Sequence, residues 1–579
     1  MNRCGSVVRS SLLLHLPVML LAALWASACI PDYGVSSGEG GAGAGGGGGA
    51  GAGPTCEPMA ELACYSGIAG TADLGICTAG VKVCDAAGPD YGPCEGSGSP
   101  KVEDCSSPED ENCDGHPGCA GECLWTRRFA KREYGNGGEL SKFGLGGIAV
   151  DESWNTIVVG SYNGSLTEPG PIDFGEGPLS CTGSQCGFVA KLDPLGNHLW
   201  SKPLDGYLAD AVSTFGNGDI VLASQGGGPE SFVCGVGGSS FYSTIVAVLD
   251  PDGNCKPDRP ATKLEVKPGS VPRIAVGNEG AVYATFHVES GKIGGTSYGG
   301  QSILVRIELG GQVGWVEPFG GFNTRPVALT VDSAGDVFIT GDMSNGTAKF
   351  GPNLALSPSY EDVFVARFRP SQRASPNGPW AWARQMNVQV TKGAYAADIV
   401  TDGDGAVFIA GALSAKIAPG DKCGELEPGA NGSNLFVAQL KSETSEAPCQ
   451  RVRAFGQLNG NGWDLDFYFR MRIDADDKHL LLAGRYDDAS LLFPGGPWES
   501  VPITPGGDIF VAKLKTASVD ALEPIWVRGF GGPYSSYPYG LAVDSGGGIR
   551  LSGSGSGVDF GCGPGDNIKE NFFITRLSP

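Results

Sequence analysis

Leu329-Thr330-Val331-Asp332-Ser333-Ala334-Gly335-Asp336-Val337-Phe338-Ile339 decides the fold, together with a companion further on, Phe364-Val365-Ala366-Arg367-Phe368. The first stretch is two short apolar runs around an Asp-x-x-Gly turn. The second is an aromatic-Val-Ala-basic-apolar run followed, after a loop, by Trp382. Short alternating runs on either side of a turn whose Gly accepts positive φ predict a β-hairpin. Two such hairpins make a unit of four antiparallel strands. The first half returns at Ile399-Val400-Thr401-Asp402-Gly403-Asp404-Gly405 and at Leu541-Ala542-Val543-Asp544. The second half returns as Phe188-Val189-Ala190-Lys191-Leu192 with Trp200, as Phe436-Val437-Ala438-Gln439-Leu440, and as Phe510-Val511-Ala512-Lys513-Leu514 with Trp526.

A tandem array of four-stranded units predicts an all-β protein, a β-propeller of antiparallel blades. First halves fall near Ile148, Ala211, Ile274, Leu329, Ile399, Ile473 and Leu541, which gives seven blades. The units near Ala211 and Ile473 are degenerate, so six and eight stand as alternatives. The last unit ends at Phe573-Ile574-Thr575-Arg576-Leu577, where its fourth strand is due, and a Trp-and-basic strand stands instead at the front, Leu124-Trp125-Thr126-Arg127-Arg128-Phe129. A propeller over 124–579, closed by the strand 124–129, accounts for both and leaves no open sheet edge at the ends of the array. No amphipathic helix pattern is found in this region.

Three segments precede the propeller. Residues 1–28 read as an export signal: Arg3 and Arg9, an apolar run from Leu12 to Leu24, then Ala26-Ser27-Ala28 before Cys29. The run is too short to span a membrane, which takes about 20 apolar residues. The small residues before Cys29 resemble a bacterial lipobox, which implies lipidation of Cys29 and anchoring to the outer membrane, at the cell surface. Residues 29–55 are a Gly/Ala-rich linker with a reach of about 25 Å as a flexible coil. Residues 56–123 carry nine of the 18 cysteines with no CxxC pair, which in an exported chain reads as a disulfide module. Beyond it, local pairs are expected as Cys181 with Cys186, Cys234 with Cys255, and Cys423 with Cys449, with Cys562 bonding back into the module. The net charge of −23 disfavours nucleic-acid binding.

The units resemble the SBBP (seven-bladed β-propeller) repeat of lipoproteins of myxobacterial type, on Leu329 to Gly341, Asp362 to Phe368, Trp526 to Phe530 and Gly540 to Asp544. The segment from Cys64 to Gly115 is similar to the cysteine-rich metal-binding segment that precedes such repeats, with one copy of Cys-Asp-Gly, Cys113-Asp114-Gly115. The resemblance implies the fold and supplies no catalytic residues.

One acidic knot could hold a cation: Glu103, Asp104, Glu109, Asp110, Glu111 and Asp114. Clustered carboxylates supply the oxygens that Ca²⁺ takes, and a solvated loop is the alternative reading. The turn Asp residues read as caps of their own turns, and the Trp residues at the repeat position as inter-blade core. Trp154, Trp463 and Trp498 lie off that position and are the candidates for ligand contact. The His residues are scattered and no G-x-S-x-G or H-E-x-x-H is present, so no catalytic residue is assigned. The expected function is non-catalytic: a monomeric surface module whose variable loops bind a polysaccharide, a matrix component or a protein partner. A glycan-active hydrolase or lyase with its site in the propeller channel, and a purely structural envelope protein, are the alternatives.

Overall fold

The computed structural model describes residues 56–579 apart from 57–58, 66, 68–70, 86–90, 104–106, 108, 114–120, 130–144, 164–171, 181–184, 206, 227–231, 238–242, 390–392, 428–432, 443–446, 459–468, 477, 487–507, 517–521, 533–534, 556 and 563–570. Cys29, Asp104, Asp114, Cys181, Trp463 and Trp498 therefore lie outside the described residues. Among the described residues the chain is strand throughout, save one 3-10 turn at Pro370–Gln372, and no helix is long and apolar enough to cross a membrane.

Seven innermost strands form a ring: Leu145–Val150, Tyr207–Thr214, Arg273–Val276, Thr324–Val331, Ala394–Thr401, Arg470–Ile473 and Ser536–Val543. Each touches the next, and the last touches the first. Each opens a blade of four antiparallel strands, numbered here 1 to 7. Blades 2 and 3 are joined into one sheet. The outer strand of blade 2, Thr262–Pro268, pairs with the extended second strand of blade 3, Val282–Ile293. In blade 7 the outer strand comes from the front of the array. Cys123–Phe129 pairs with Asn571–Leu577, and Cys123 is disulfide-bonded to Cys562.

The repeat residues explain the blades. The third strand Asp362–Phe368 is buried at every position, because each blade is covered on both faces by its neighbours. Strands covered on both faces read as continuous apolar runs rather than alternating ones. The apolar core is accordingly divided into layers between successive blades, as where Phe338, Val365 and Trp382 of blade 4 meet Ala396, Ile409 and Phe436 of blade 5. The Gly that ends the second-strand motif makes room for the aromatic of the third. A Cβ at Gly341 would lie 2.1 Å from Arg325 O and 2.8 Å from Phe364.

The two halves of the repeat meet through charge. The turn Asp caps its own turn: Asp332 Oδ1 accepts from Ala334 N and Asp336 N, and Asp402 Oδ1 accepts from Asp404 N and Ala406 N. The basic residue of the third strand pairs with this turn. Lys191 Nζ lies 2.9 Å from Asp151, Lys513 Nζ 2.6 Å from Asp474, and Arg367 Nη2 2.7 Å from Asp336. It then reaches into the next blade beside the repeat Trp. Lys191 Nζ and Trp200 Nε1 both donate to Pro251 O, and Arg367 Nη1 and Trp382 Nε1 both donate to Ser442 O. Trp125 Nε1 donates likewise to Pro194 O, which ties blade 7 to blade 1.

Trp154 is corrected by the structure. It is 2 % exposed and takes, at φ +61°, the turn position held by Gly335, Gly405 and Gly547 in other blades. Its ring packs on Gly546, and its Nε1 donates to Ser545 Oγ at 2.8 Å, so it joins blade 1 to blade 7 and has no face for a ligand.

The cysteine-rich module carries a small hairpin, Glu61–Cys64 with Gly80–Val83, and the disulfides Cys56–Cys84, Cys64–Cys94 and Cys77–Cys113. It docks on blade 7, where the fully buried Asn112 donates from Nδ2 to Gly546 O at 3.2 Å. Cys234–Cys255 and Cys423–Cys449 are bonded, and Cys186 is disulfide-bonded.

Candidate functional site

The inner strands place one residue of each blade at the same level of the channel, four positions before the first turn residue. The turns of successive blades fix that alignment by the same pair of backbone hydrogen bonds, begun at Asp151, Phe215, Gly277, Asp332, Asp402 and Asp544, with a longer turn at Asp474. The level reads Gly147, Ala211, Arg273, Ala328, Asp398, Arg470, Gly540. Four blades carry Gly or Ala where close packing around the axis needs small side chains. Ala328 stands at this level in blade 4, while blades 3, 5 and 6 carry charge. Blade 6 adds a second arginine, Arg472, two positions on. Local rules broken at one place in a repeating scaffold are a mark of function.

Immediately before this level the inner strand carries a β-bulge in five blades, between Leu145 and Gly147, Ala209 and Ala211, Pro326 and Ala328, Ala396 and Asp398, and Pro538 and Gly540. A bulge bends the strand and re-aims a side chain. The bulged residues are Gly146, Asp210, Val327, Ala397 and Tyr539, so blade 2 alone of the five places a carboxyl there.

A cavity of about 760 Å³ runs along this axis, lined by all seven inner strands. Its charged lining is Arg259, Arg273, Arg470 and Arg472 against the single carboxylate Asp398. A chain of net charge −23 thus encloses a cationic channel. Asp398 is held hard: Oδ1 accepts from Ile399 N, and Oδ2 from Met471 N and from Arg472 Nη1 at 3.0 Å. Arg273 donates from Nε to Val327 O and lies within electrostatic reach of Asp398, Asp210 and Arg472. Arg259 lies over the Phe215 ring at 4.7 Å, with its buried Nη1 without a hydrogen-bond partner among the described residues. Burial pushes the Asp210 carboxyl up to about 7, against hydrogen bonds from Gln225 and the nearby charge of Arg273, and its Oδ2 is buried without a partner.

A second carboxyl lies between blades 4 and 5. Burial, with the neighbouring charge of Glu361, pushes Asp342 up to about 7, although Ala396 N donates to its Oδ1 at 2.7 Å. Glu361 accepts from Tyr395 OH. Asp362 in the same blade is raised to about 6 by burial, while accepting from the backbone N–H groups of Val363, Met386 and Val388. These contacts fix the strand exits of blade 4.

Of the sequence-derived acidic knot, Glu103 and Asp110 are buried, and Glu103 Oε2 accepts from Asn112 N at 3.0 Å. Glu103 therefore braces the Asn112 contact to blade 7. Glu109 and Glu111 stay at the surface or partly covered. Among the described residues, the one group whose ligand atoms converge is Asp474, Asp476 and His479, in the turn of blade 6. Lys513 Nζ already stands 2.6 Å from Asp474 there, so the local charge is met by the protein's own ammonium. The channel arginines were missed by sequence reasoning. They stand four and two positions before a turn, at a level where four other blades carry Gly or Ala, a contrast that emerges only once the turns are aligned by their hydrogen bonds.

No family model matches this chain, and no curated protein matches it. Among solved structures it is similar to the hydrazine synthase of Kuenenia stuttgartiensis, at 10 % identity and a TM-score of 0.39, over 72 % of this chain and 95 % of that one. It is similar also to the Dos1 propeller, at 9 % identity and a TM-score of 0.33 over 78 % of this chain and 95 % of that one. YCF48 bound to D1 peptide aligns at 10 % identity and a TM-score of 0.34, over 78 % of this chain and 98 % of that one. The fold assignment rests on the strand pairing and the closed ring described above.

Proposed function

We propose that this chain is an exported, surface-anchored binding module, and that its ligand is an anionic one seated in the arginine-lined channel. The observation that carries the reading is the break in the repeat at Arg273, Asp398 and Arg470, with Arg472 beside them, around a cavity of about 760 Å³. Cavities of this size accommodate ligands in general, and arginines in a low-dielectric channel attract anions strongly. The lipobox at Cys29 and the linker to residue 55 support a tethered location on the outer membrane. Calcium at the acidic knot is proposed from the clustering of its carboxylates in the sequence alone, and a calcium titration of the same protein would read it.

A glycan-active enzyme is the second reading, favoured by the one feature that a binding site does not need: Asp210, raised to about 7, is suited to proton donation. Against it, Asp210 does not line the cavity, and the carboxylate that does, Asp398, is committed to Ile399, Met471 and Arg472 and is poorly placed to act as a free base or nucleophile.

The test is a binding screen of the protein from residue 56 onward against acidic and neutral envelope polysaccharides, with and without calcium, followed over time for products. Saturable binding of acidic polymers without turnover supports the proposal. Turnover moves the assignment to the enzyme, and binding confined to neutral polymers contradicts it.

A further inference from the structure

Resting on the channel reading above, we propose that the ligand is a uronate-type acidic sugar, its carboxylate taken by Arg273 with Arg470 and Arg472.

Three features select this class among anions. The first is the mixture of charges. Arginine forks match a planar carboxylate in two parallel hydrogen bonds, yet Asp398 stands on the same channel wall. A protein carboxylate in the site disfavours a phosphate dianion and tolerates a single negative charge. The second is the state of the polar atoms. Arg472 is held by Asp398 at 3.0 Å, so its guanidinium is pre-aimed. Among the described residues Arg273 is hydrogen-bonded at Nε, to Val327 O, and its terminal nitrogens are left for a ligand. The third is size and surface. A free phosphate or sulfate would fill a small part of about 760 Å³. The opposite wall, Gly146, Gly147, Ala149, Ala211, Gly540 and Ala542, is built of small residues that let a sugar ring approach closely.

The experiment is calorimetric titration of the protein from residue 56 onward with tetragalacturonate, galacturonate, an uncharged oligosaccharide of equal length, inorganic phosphate and polyphosphate. The same titrations are made on Arg273→Gln and Arg273→Lys, each shown to be folded by its melting curve. The expected result is saturable uronate binding, about tenfold or more weaker in Arg273→Gln, and partly restored in Arg273→Lys. The uncharged oligosaccharide should not bind. A tetramer that binds more tightly than the monomer identifies a polymer as the source, and equal affinities identify a free sugar acid. Uronate affinity unchanged in Arg273→Gln overturns the inference. Preference for phosphate or polyphosphate overturns the sugar while leaving the anionic-ligand reading standing. Binding of none of these anions overturns both.

Discussion

Arg472 of blade 6 and Asp398 of blade 5 are joined across a blade boundary in the channel wall, Nη1 to Oδ2 at 3.0 Å, and Met471 N donates to the same oxygen at 2.9 Å. Asp398 is thereby a positioning residue: it fixes the guanidinium that faces the ligand and staples two inner strands together. Asp398→Asn keeps the shape and removes the charge. It should weaken uronate binding several-fold and lower stability by about 1–3 kcal/mol, as expected when a hydrogen bond to a charged group is lost. Calorimetry and urea unfolding read the two effects separately.

The clamp between blades 1 and 2 depends on Lys191, which meets Asp151 at 2.9 Å and donates to Pro251 O at 3.0 Å. Both side chains of the ion pair are almost fully buried. Lys191→Met fills the space but leaves Asp151 buried without its cation, a change that typically costs about 3–5 kcal/mol. A urea midpoint unchanged in this variant would show that the pair does not hold the blades together. Blade 5 carries Gln439 at this position, which donates to Thr516 O and so keeps the reach to the next blade without a charge.

Trp154 stands in a turn position that favours glycine, and its packing on Gly546 and under the Arg576 guanidinium offsets that backbone cost. Trp154→Gly relieves the left-handed strain and removes a large buried side chain. The second effect is larger, so a net loss of about 2–4 kcal/mol is expected in urea unfolding. Ligand binding by the folded variant should be unchanged, because Trp154 does not line the channel.

Asp210, Asp342 and Asp362 are raised to about 7, 7 and 6, in each case chiefly by burial. A carboxyl whose folded pKa lies above its unfolded value binds its proton more tightly in the folded state. Its contribution is full below about pH 4 and is lost as pH rises through about 6 to 7. Melting temperature should therefore fall between pH 5 and pH 8, and Asp210→Asn should flatten part of that slope. A profile identical to that of the parent protein would contradict the burial of this carboxyl.

The ring is closed at its seam by strand pairing and by Cys123–Cys562, which spans 439 residues of sequence. Cross-linking distant residues restricts the unfolded chain, an effect of about 4–5 kcal/mol for long loops in the chain-entropy account. Replacing both cysteines by serine should lower the melting temperature and free the strand Cys123–Phe129 first. Faster amide exchange there than in the other outer strands would show it.

The blade pattern was legible because Val331-Asp332 and Phe364-Val365-Ala366 are fixed by local chemistry: a turn that needs an Asp cap and a Gly, and a strand buried on both faces. The degenerate units near Ala211 and Ile473 follow the same hairpin geometry with Phe215 and a longer turn in place of the motif. The channel was not legible. Which residues of an inner strand line it depends on bulges such as that between Ala209 and Ala211, set by pairing rather than by spacing. An arginine at position 273 or 470, read along the chain, resembles any solvated strand residue, and the overall acidity hid the local sign. Trp154 was misread for a related reason. An aromatic off the repeat position suggests a ligand platform, and only the neighbouring blade reveals Gly546 beneath it.

The measurement that bears most directly on the account is the affinity of an acidic polysaccharide, rich in uronate, for the parent protein and for Arg273→Ala. Saturable binding that falls about tenfold or more in the variant, at unchanged melting temperature, is the predicted result. Equal affinity in the two proteins, or no binding of the acidic polymer to either, would contradict a ligand seat in the channel.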